Sequence, residues 1–492
     1  MAIDEILIES GPGETRIALL DSGCLCDFCV DRADLRSAVG DVFLGRVERV
    51  LPNIAAAFVN IGQEKPGFLG LAEARPAGVR SEPTGEQRAE RITDYVNEGD
   101  AVVVQVQRDP TDDKGAKLTT HIGLTGRTMV LLPGVGEIKL SRRIDGNEER
   151  TRLSAIVEDL SANGDGFILR TAAAGATVEA ICDEAQRLRG VLADLKIRQK
   201  NAKPPVCIHA EPALAHRILR DDVGPQVTSV VVNDAGVLAG LRDFCRAQAP
   251  DVLDRLCGYN EKSPLFQARG IEEQIDDALA SRVPLPSGGS LIIEETRALI
   301  AIDVNTGVGQ SGGPEETAFK TNIEAADEIA RQMRLRNLAG LLVVDFAKMK
   351  RRNHLGEVLV HMRSAVSNDP NPAHVIGFTK LGLMEMTRRR ESRSLREIMT
   401  AGCELCHANG FMRDGLSVGF EALRRALREG LASPGARIQI VAAPSVIDAL
   451  KARGAQAILE TGEKLGGQLE LIADPAFGPD QIDVFTRRTG ND

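Results

Sequence analysis

Tryptophan is absent from the 492-residue chain, tyrosine occurs twice, and aromatic residues make up only 3 % of it. Against so few rings, each phenylalanine placed toward solvent carries unusual weight. No apolar run reaches the roughly 20 residues that span a bilayer. The start of the chain, MAIDEILIESGPGE, has acids where an export signal needs basic residues, so a cytoplasmic location is expected. In that reducing compartment the 9 cysteines are expected to stay free of disulfides, and closely spaced pairs point to metal. Histidine is scarce, with 7 residues and no ligand spacing apart from His407. There is no internal repeat and no low-complexity tract. The net charge of −10 argues against nucleic acid as a partner of the whole surface. Two local clusters run the other way, KMKRR at 348–352 and TRRRESRSLR at 387–396.

What is present reads as several α/β domains. Hydrophobic residues at 43 % and charged residues at 26 % are ordinary for a soluble globular protein. The length suggests about three domains or more. Residues 40–71 break into short strands separated by Gly, Pro and Asn turns. A polar loop (75–98) and a further strand, AVVVQVQRD, follow, which together predict a small barrel. DGFILRTAAAGATVEAICDEAQRLRGVL reads as a strand and then a helix, and RQKNAKPPV (198–206) as a linker. After ASPGAR (432–437) comes a small segment of alternating strand and helix.

The most informative stretches are ALIAIDVNTG (298–307) and LAGLLVVDFAKM (338–349). Each is an apolar strand that delivers an aspartate, Asp303 and Asp345. Between them a helix opens with Pro and acids and puts Phe319, Ile323, Ala326, Ala330 and Met333 on one face. Strand alternation turns Asp303 and Asn305 one way and Ile300 and Ile302 the other. Leu341, Val343 and Asp345 likewise share a face. If the strands are neighbours, both acids emerge at their carboxyl ends, where open α/β sheets bind ligands. Two unpaired carboxylates repel, and a hard cation such as Mg²⁺ resolves the conflict. The plainer alternative is that each Asp caps the turn after it.

Two further patterns stay open on the residues alone. CELCH (403–407) fits a haem-attachment pattern, which belongs to exported proteins. It also supplies two ligands, Cys403 and Cys406, of the four that a structural Zn²⁺ takes. The others would come from His407, from elsewhere in the chain, or from a second copy. Cys24, Cys26 and Cys29 form a second cluster, read as thiols on an amino-terminal hairpin in preference to a metal site or ligands lent to Cys403 and Cys406. Phe58 and Phe68, on adjacent predicted strands, are either a platform for stacking bases or barrel core.

LPSGGSLIIEETRALIAIDVNTG, EETAFKTNIEAADEIARQMRLRNLAGLLVVDF and GLMEMTRRRESRSL resemble the ribonuclease E/G family of bacterial endoribonucleases. The resemblance runs nearly end to end, and the short tail after the Cys pair resembles the ribonuclease G-like branch. It implies a multidomain α/β fold. An RNase H-like domain (1–36 and 217–278) would be split by an OB-fold RNA-binding barrel (37–118) and a 5′-phosphate sensor domain (119–216). A DNase I-like catalytic domain (279–398), a zinc-link (399–410) and a small C-terminal domain (411–492) would follow. The implied activity is Mg²⁺-dependent hydrolysis of single-stranded, A/U-rich RNA to 5′-phosphate and 3′-hydroxyl ends, in ribosomal RNA processing and messenger RNA decay. Asp303 and Asp345 match the magnesium ligands and Asn305 the supporting asparagine. Phe58, Phe68 and Lys114 match RNA contacts of the barrel. Gly126 and Val130, through backbone groups, match the pocket for a 5′-monophosphate together with Arg170, Thr171 and Lys380, the last where ribonuclease E has arginine. Cys403 and Cys406 match half of a Zn²⁺ site shared by two chains, which implies a homodimer or higher homo-oligomer. One departure stands out: Lys348 occupies a position that is acidic in many members. A non-cleaving RNA-binding protein on the same scaffold is the alternative this raises.

Overall fold

The computed structural model of the protein describes all residues except 1–2, 34–35, 76–89, 111–113, 162–163, 308–312, 404, 407–409, 411, 467–468 and 488–492. It divides into two compact units, Met1–Ile398 and Met399–Asp492. The fold is mixed α/β and multidomain, and contains a closed five-stranded barrel of the kind found in OB-folds. No helix among the described residues is long and apolar enough to cross a membrane.

The first unit begins with an antiparallel meander, Glu5–Gly11, Glu14–Asp21 and Cys24–Arg32. The chain then leaves this sheet and returns almost 200 residues later. Ser229–Val232 pairs parallel to the first strand and Leu256–Gly258 parallel beyond it. Cys24, Cys26 and Cys29 lie on the third strand of the meander, as the hairpin reading expects, and all nine cysteines are free.

The excursion builds the barrel first. Its strands are Val42–Leu51, Ala56–Asn60, Gly67–Gly70, Lys117–Thr119 and Ala101–Arg108, and pairing of the last with the first closes it. Val47, Ala57, Val59, Leu69, Val104, Val106 and Leu118 fill the interior. A four-stranded sheet follows, Leu124–Thr125, Met129–Leu132, Ile138–Leu140 and Gly166–Leu169, backed by the helices Asn147–Leu160 and Val178–Asn201. The linker expected at 198–206 is not one. The long helix continues to Asn201, because Arg198 and Lys200 are good helix formers and suit a helix C-terminus. Val206–His209 then pairs with the barrel strand Val42–Leu51. Val42 and Leu44 also pack with Leu131, Phe167 and Ile181, so barrel and sheet share a wall.

The acid-bearing strands lie in a six-stranded sheet. Ile300–Asn305 and Gly340–Asp345 are its central pair, and they run parallel. The helices Pro314–Leu335 and Arg352–Ala365 cover one face. Ala326, Ile329, Ala330, Met333, Val358 and Met362 pack there against Ile302, Val304, Leu342 and Val344. The second unit has its own core, in which Arg437–Ala442 is flanked by Leu469–Ala473 and Ile482–Arg487. Its helix Gly415–Ala432, capped by Asp414, escaped the sequence reading.

Within the first unit, the helix Pro314–Leu335 is tied to the meander. Arg331 donates to the Leu25 carbonyl (2.6 Å) and Arg334 to Asp27 (2.9 Å). Beside them Asp222 ends the helix Leu214–Asp221, where a negative charge opposes the helix dipole. Burial, with the charges of Asp27 and Asp221, pushes its carboxyl up to about 6, against the pull of Arg334. The folded state therefore binds a proton here more tightly than the unfolded chain. Stability falls as pH rises from about 4 to about 6, and the cost is fully present above that window. Asp222→Asn is expected to raise the melting temperature at pH 7.5, by the equivalent of roughly 1–3 kcal/mol. At pH 4 the gain should vanish in parallel thermal scans.

Candidate active site

In the parallel pairing of the two central strands, Asp303 stands directly opposite Asp345. Adjacent strands lie roughly 4.8 Å apart, so two carboxylates in one register and on one face fall within reach of a single ion. Alternation places them correctly: Ile302, Val304, Leu342 and Val344 are buried, while Asp303, Asn305 and Asp345 are exposed. Asn305 Nδ2 donates to Asp303 Oδ2 (2.7 Å) and fixes that carboxylate. Among the described residues, neither acid accepts a backbone N–H from the turn after it, so turn capping does not account for them.

The turns around the acids are held rigidly. A Cβ on Gly289 would lie 2.6 Å from the Asn305 carbonyl oxygen, and one on Gly307 would lie 2.5 Å from the Gly288 carbonyl carbon. The glycines of PSGGS and NTG therefore allow two backbones to touch where the first acid strand ends. After Asp345, the chain is fastened to the helix Pro314–Leu335 at two points. Fully buried Asn322 donates to the Ala347 carbonyl (2.8 Å) and accepts its N–H (3.0 Å). Glu315 accepts the N–H groups of Lys350 and Arg351, which hold its carboxyl below the usual range. Lys348 is exposed between these two anchors. The sequence reading missed Asn322. Its spacing from Phe319 and Ala326 puts it on the apolar stripe, and a polar residue there was the available signal.

Phe58 and Phe68 are directly paired across neighbouring barrel strands, with ring centroids 6.1 Å apart and planes at 75°. Both are partly exposed and outside the barrel core, because their strand neighbours Ala57, Val59 and Leu69 take the inward positions. Lys114 is exposed. Arg170 ends the strand Gly166–Leu169, and its Nη1 donates to the Gly126 carbonyl (2.8 Å) and to Asp221 (2.5 Å). Burial works to raise the Asp221 carboxyl, but Arg220 and Arg170 outweigh it and hold it below its usual value. Thr171 is exposed beside Ser141, with their hydroxyl oxygens 3.1 Å apart. The Gly126 N–H is spent on the Met129 carbonyl (2.8 Å), and Val130 is paired on both sides of its strand. Glu184 accepts the N–H groups of Arg127 (2.5 Å) and Thr128 (2.8 Å), and a Cβ on Gly126 would collide with its carboxylate.

Lys380 lies elsewhere in the chain's own geometry. It sits in the turn Thr379–Gly382 of the hairpin formed by Ala373–Phe378 and Met384–Arg388, at the end that the register places beside Asp345. The segment next to Thr171 reaches the opposite end of that hairpin, where Arg143 donates to the Asp369 carbonyl (3.1 Å). The strand between is about 17 Å long. Within one chain, Lys380 is therefore not brought to Arg170.

In the second unit, Cys403 is exposed and Cys406 half-buried. The Cys406 N–H, the Cys406 thiol and the Leu405 N–H hold the Cys403 thiol below its ordinary value. His407 lies outside the described residues. Among the described residues no cluster of three or more metal-ligating side chains forms.

The ribonuclease E/G family model matches residues 123–391. The chain is 36 % identical over 484 residues to ribonuclease G of Salmonella typhimurium, covering 98 % of this chain and 99 % of that one. It is 36 % identical over 487 residues to ribonuclease G of Haemophilus influenzae, with 98 % and 99 % covered. Ribonuclease E of Haemophilus influenzae is 33 % identical over 482 residues, which is 97 % of this chain and 51 % of that protein.

Asn322→Ala leaves the half-buried Ala347 N–H and carbonyl without their partner. It is expected to cost about 2 kcal/mol, read as a lowered melting temperature, while the same change at exposed Lys348 should leave the melting temperature unmoved.

Proposed function

The chain belongs to the ribonuclease E/G family and is an endoribonuclease; from that premise and the site's geometry, we propose that Asp303 and Asp345 hold the magnesium ion at its cleavage centre. The observation that carries this reading is the register that sets the two acids side by side on the open face of the sheet. Their all-oxygen donor set suits a hard cation. When bound, the ion supplies Lewis acidity and an activated water at a phosphodiester. Asn305 occupies one oxygen of Asp303 and so presets which oxygen faces the ion. Lys348, exposed three residues after Asp345, adds positive charge near the scissile phosphate in place of a further ligand. Hydrolysis leaves a 5′-phosphate and a 3′-hydroxyl.

The substrate is single-stranded RNA, A/U-rich, in ribosomal RNA processing and messenger RNA decay. Phe58 and Phe68 offer ring faces to unpaired bases on the outer wall of the barrel, with Lys114 as a phosphate contact. Arg170 has its remaining guanidinium donors, and Thr171 its hydroxyl, for a 5′-monophosphate. The Asp221 ion pair sets a threshold that a phosphate must match. We assign the 3-2-1-4-5 order of the amino-terminal sheet to an RNase H-like domain, the barrel to the OB-fold, the four-stranded sheet to the 5′ sensor and the six-stranded sheet to the DNase I-like domain. Cys403 and Cys406 fit two thiolate positions of a tetrahedral Zn²⁺, since their mutual hydrogen bonding already favours a thiolate. A second chain supplying the same pair would complete the site and make the zinc-link of a homodimer.

A time course on a short A/U-rich oligonucleotide tests the central claim, with 5′-monophosphate and 5′-hydroxyl forms, in Mg²⁺ and in EDTA. Cleavage is expected only with Mg²⁺, faster on the monophosphate. Asp303→Asn should slow cleavage about a hundredfold or more and leave RNA affinity nearly intact; equal cleavage by this variant would remove the metal assignment.

The paired substitution Cys403→Ala with Cys406→Ala is expected to abolish bound zinc by elemental analysis and to shift sedimentation toward monomer. Retention of both zinc and dimer would end the zinc-link proposal.

A further inference from the structure

Between the loop at Ser141–Arg143 and the segment Val366–Val375 lies an open cavity of about 610 Å³. Arg142, Arg143, Arg363 and His374 line it, and its carboxylate, Asp369, is already spent. Arg388 takes both Asp369 oxygens, at 2.8 Å and 3.0 Å, and the two side chains are 1 % and 5 % exposed. Among the described residues, Arg143 and Arg363 donate only to neutral carbonyls, those of Asp369, Val375 and Ile376. Arg142 is exposed and makes no hydrogen bond or ion pair among the described residues. Among the described residues, three guanidinium charges thus converge without an available counter-charge, in a chain whose net charge is −10. Guanidinium forks match phosphate oxygens in geometry and charge.

The position of the cavity narrows what fills it. On one side, Ser141 touches Thr171. On the other, Pro372 and His374 also line a shallow groove with Gly340, Leu341, Thr387 and Arg389. His374, Thr387 and Leu341 are consecutive cross-strand neighbours, and Leu341 is on the strand and face of Asp345. From His374 to Asp345 the sheet geometry gives roughly 16 Å.

We propose that this cavity is a separate subsite for the sugar–phosphate backbone of single-stranded RNA, holding the stretch between the 5′ end and the scissile bond. The proposal rests on the reading of Asp303 and Asp345 as the cleavage centre. The occupant is a phosphodiester strand and not a free 5′-phosphate, because the cavity adjoins Ser141, which touches Thr171, on one side and on the other shares Pro372 and His374 with the groove that leads along the sheet toward Asp345.

The test is fluorescence anisotropy with the full chain and a short 5′-hydroxyl single-stranded RNA, in EDTA so that no cleavage intervenes. A 5′-hydroxyl end keeps the Arg170 pocket from contributing. R142A, which breaks no contact among the described residues, should bind about tenfold more weakly with an unchanged melting temperature. Its slope of log affinity against log salt should be shallower by roughly 0.7. R142K should keep the salt slope. Adding R363A should weaken binding further.

Unchanged affinity and salt slope in R142A and in the double variant would overturn the proposal. A shift in sedimentation with unaltered RNA affinity would also overturn it, by assigning the cavity to a second copy of the chain. Cleavage by the wild-type chain in Mg²⁺ is scored separately. Its absence would sink the reading of the acids, while the anisotropy series alone decides the subsite.

Discussion

Two like charges held side by side are the constraint around which the first unit is organised. Asp303 and Asp345 repel each other in the register the sheet imposes. A loose chain would separate them. Here one face of their strands is sealed under two helices by Ile302, Val304, Leu342 and Val344, so neither strand can slip or rotate without exposing that core. The helix that joins the strands also fastens the turn after Asp345 through Asn322 and Glu315. The fold thereby holds the two carboxylates in place against their repulsion. A rigid pair of oxygens selects a small hard ion better than a mobile pair does.

Around that centre, charge is distributed by place and not in total. The surface is acidic overall, yet basic side chains gather beside the six-stranded sheet and between the four-stranded sheet and the hairpin 373–388. An acidic remainder discourages indiscriminate adhesion to polyanions, while positive potential stays confined to those two places. Ion pairs serve a different end. Buried Arg388 and Asp369 fasten the last strand of the six-stranded sheet to the segment before the hairpin, and buried Arg127 reaches half-exposed Asp251 from a segment far away in sequence. The partly exposed aromatic pair on the barrel adds an apolar surface that does not depend on charge.

Much of this was legible in the chain. Period-two patterning gave the acid strands and the facing of Asp303, Asn305 and Asp345, and period-3.6 patterning gave the apolar stripe of the helix between them. Other features were not legible. The helix ending at Asn201 was hidden by its polar last turns, which read as a linker. Asn322 was passed over because a polar residue on an apolar stripe looks like noise until its partner, the Ala347 backbone, is placed against it. The separation of Lys380 from Arg170 depends on hairpin direction and register, which no local pattern encodes.

The sequence by itself determined that the runs ending in Asp303 and Asp345 form strands and which side of each meets water, since that depends only on neighbours along the chain and on the cost of exposing apolar surface. Only the tertiary structure decided that the two acid strands are adjacent, parallel and in register. It alone decided that Phe58 and Phe68 face outward and that arginines from two distant segments, Arg142 with Arg143 and Arg363, line one cavity. Those outcomes depend on how residues remote in sequence share a core, and burial is a property of the assembled whole.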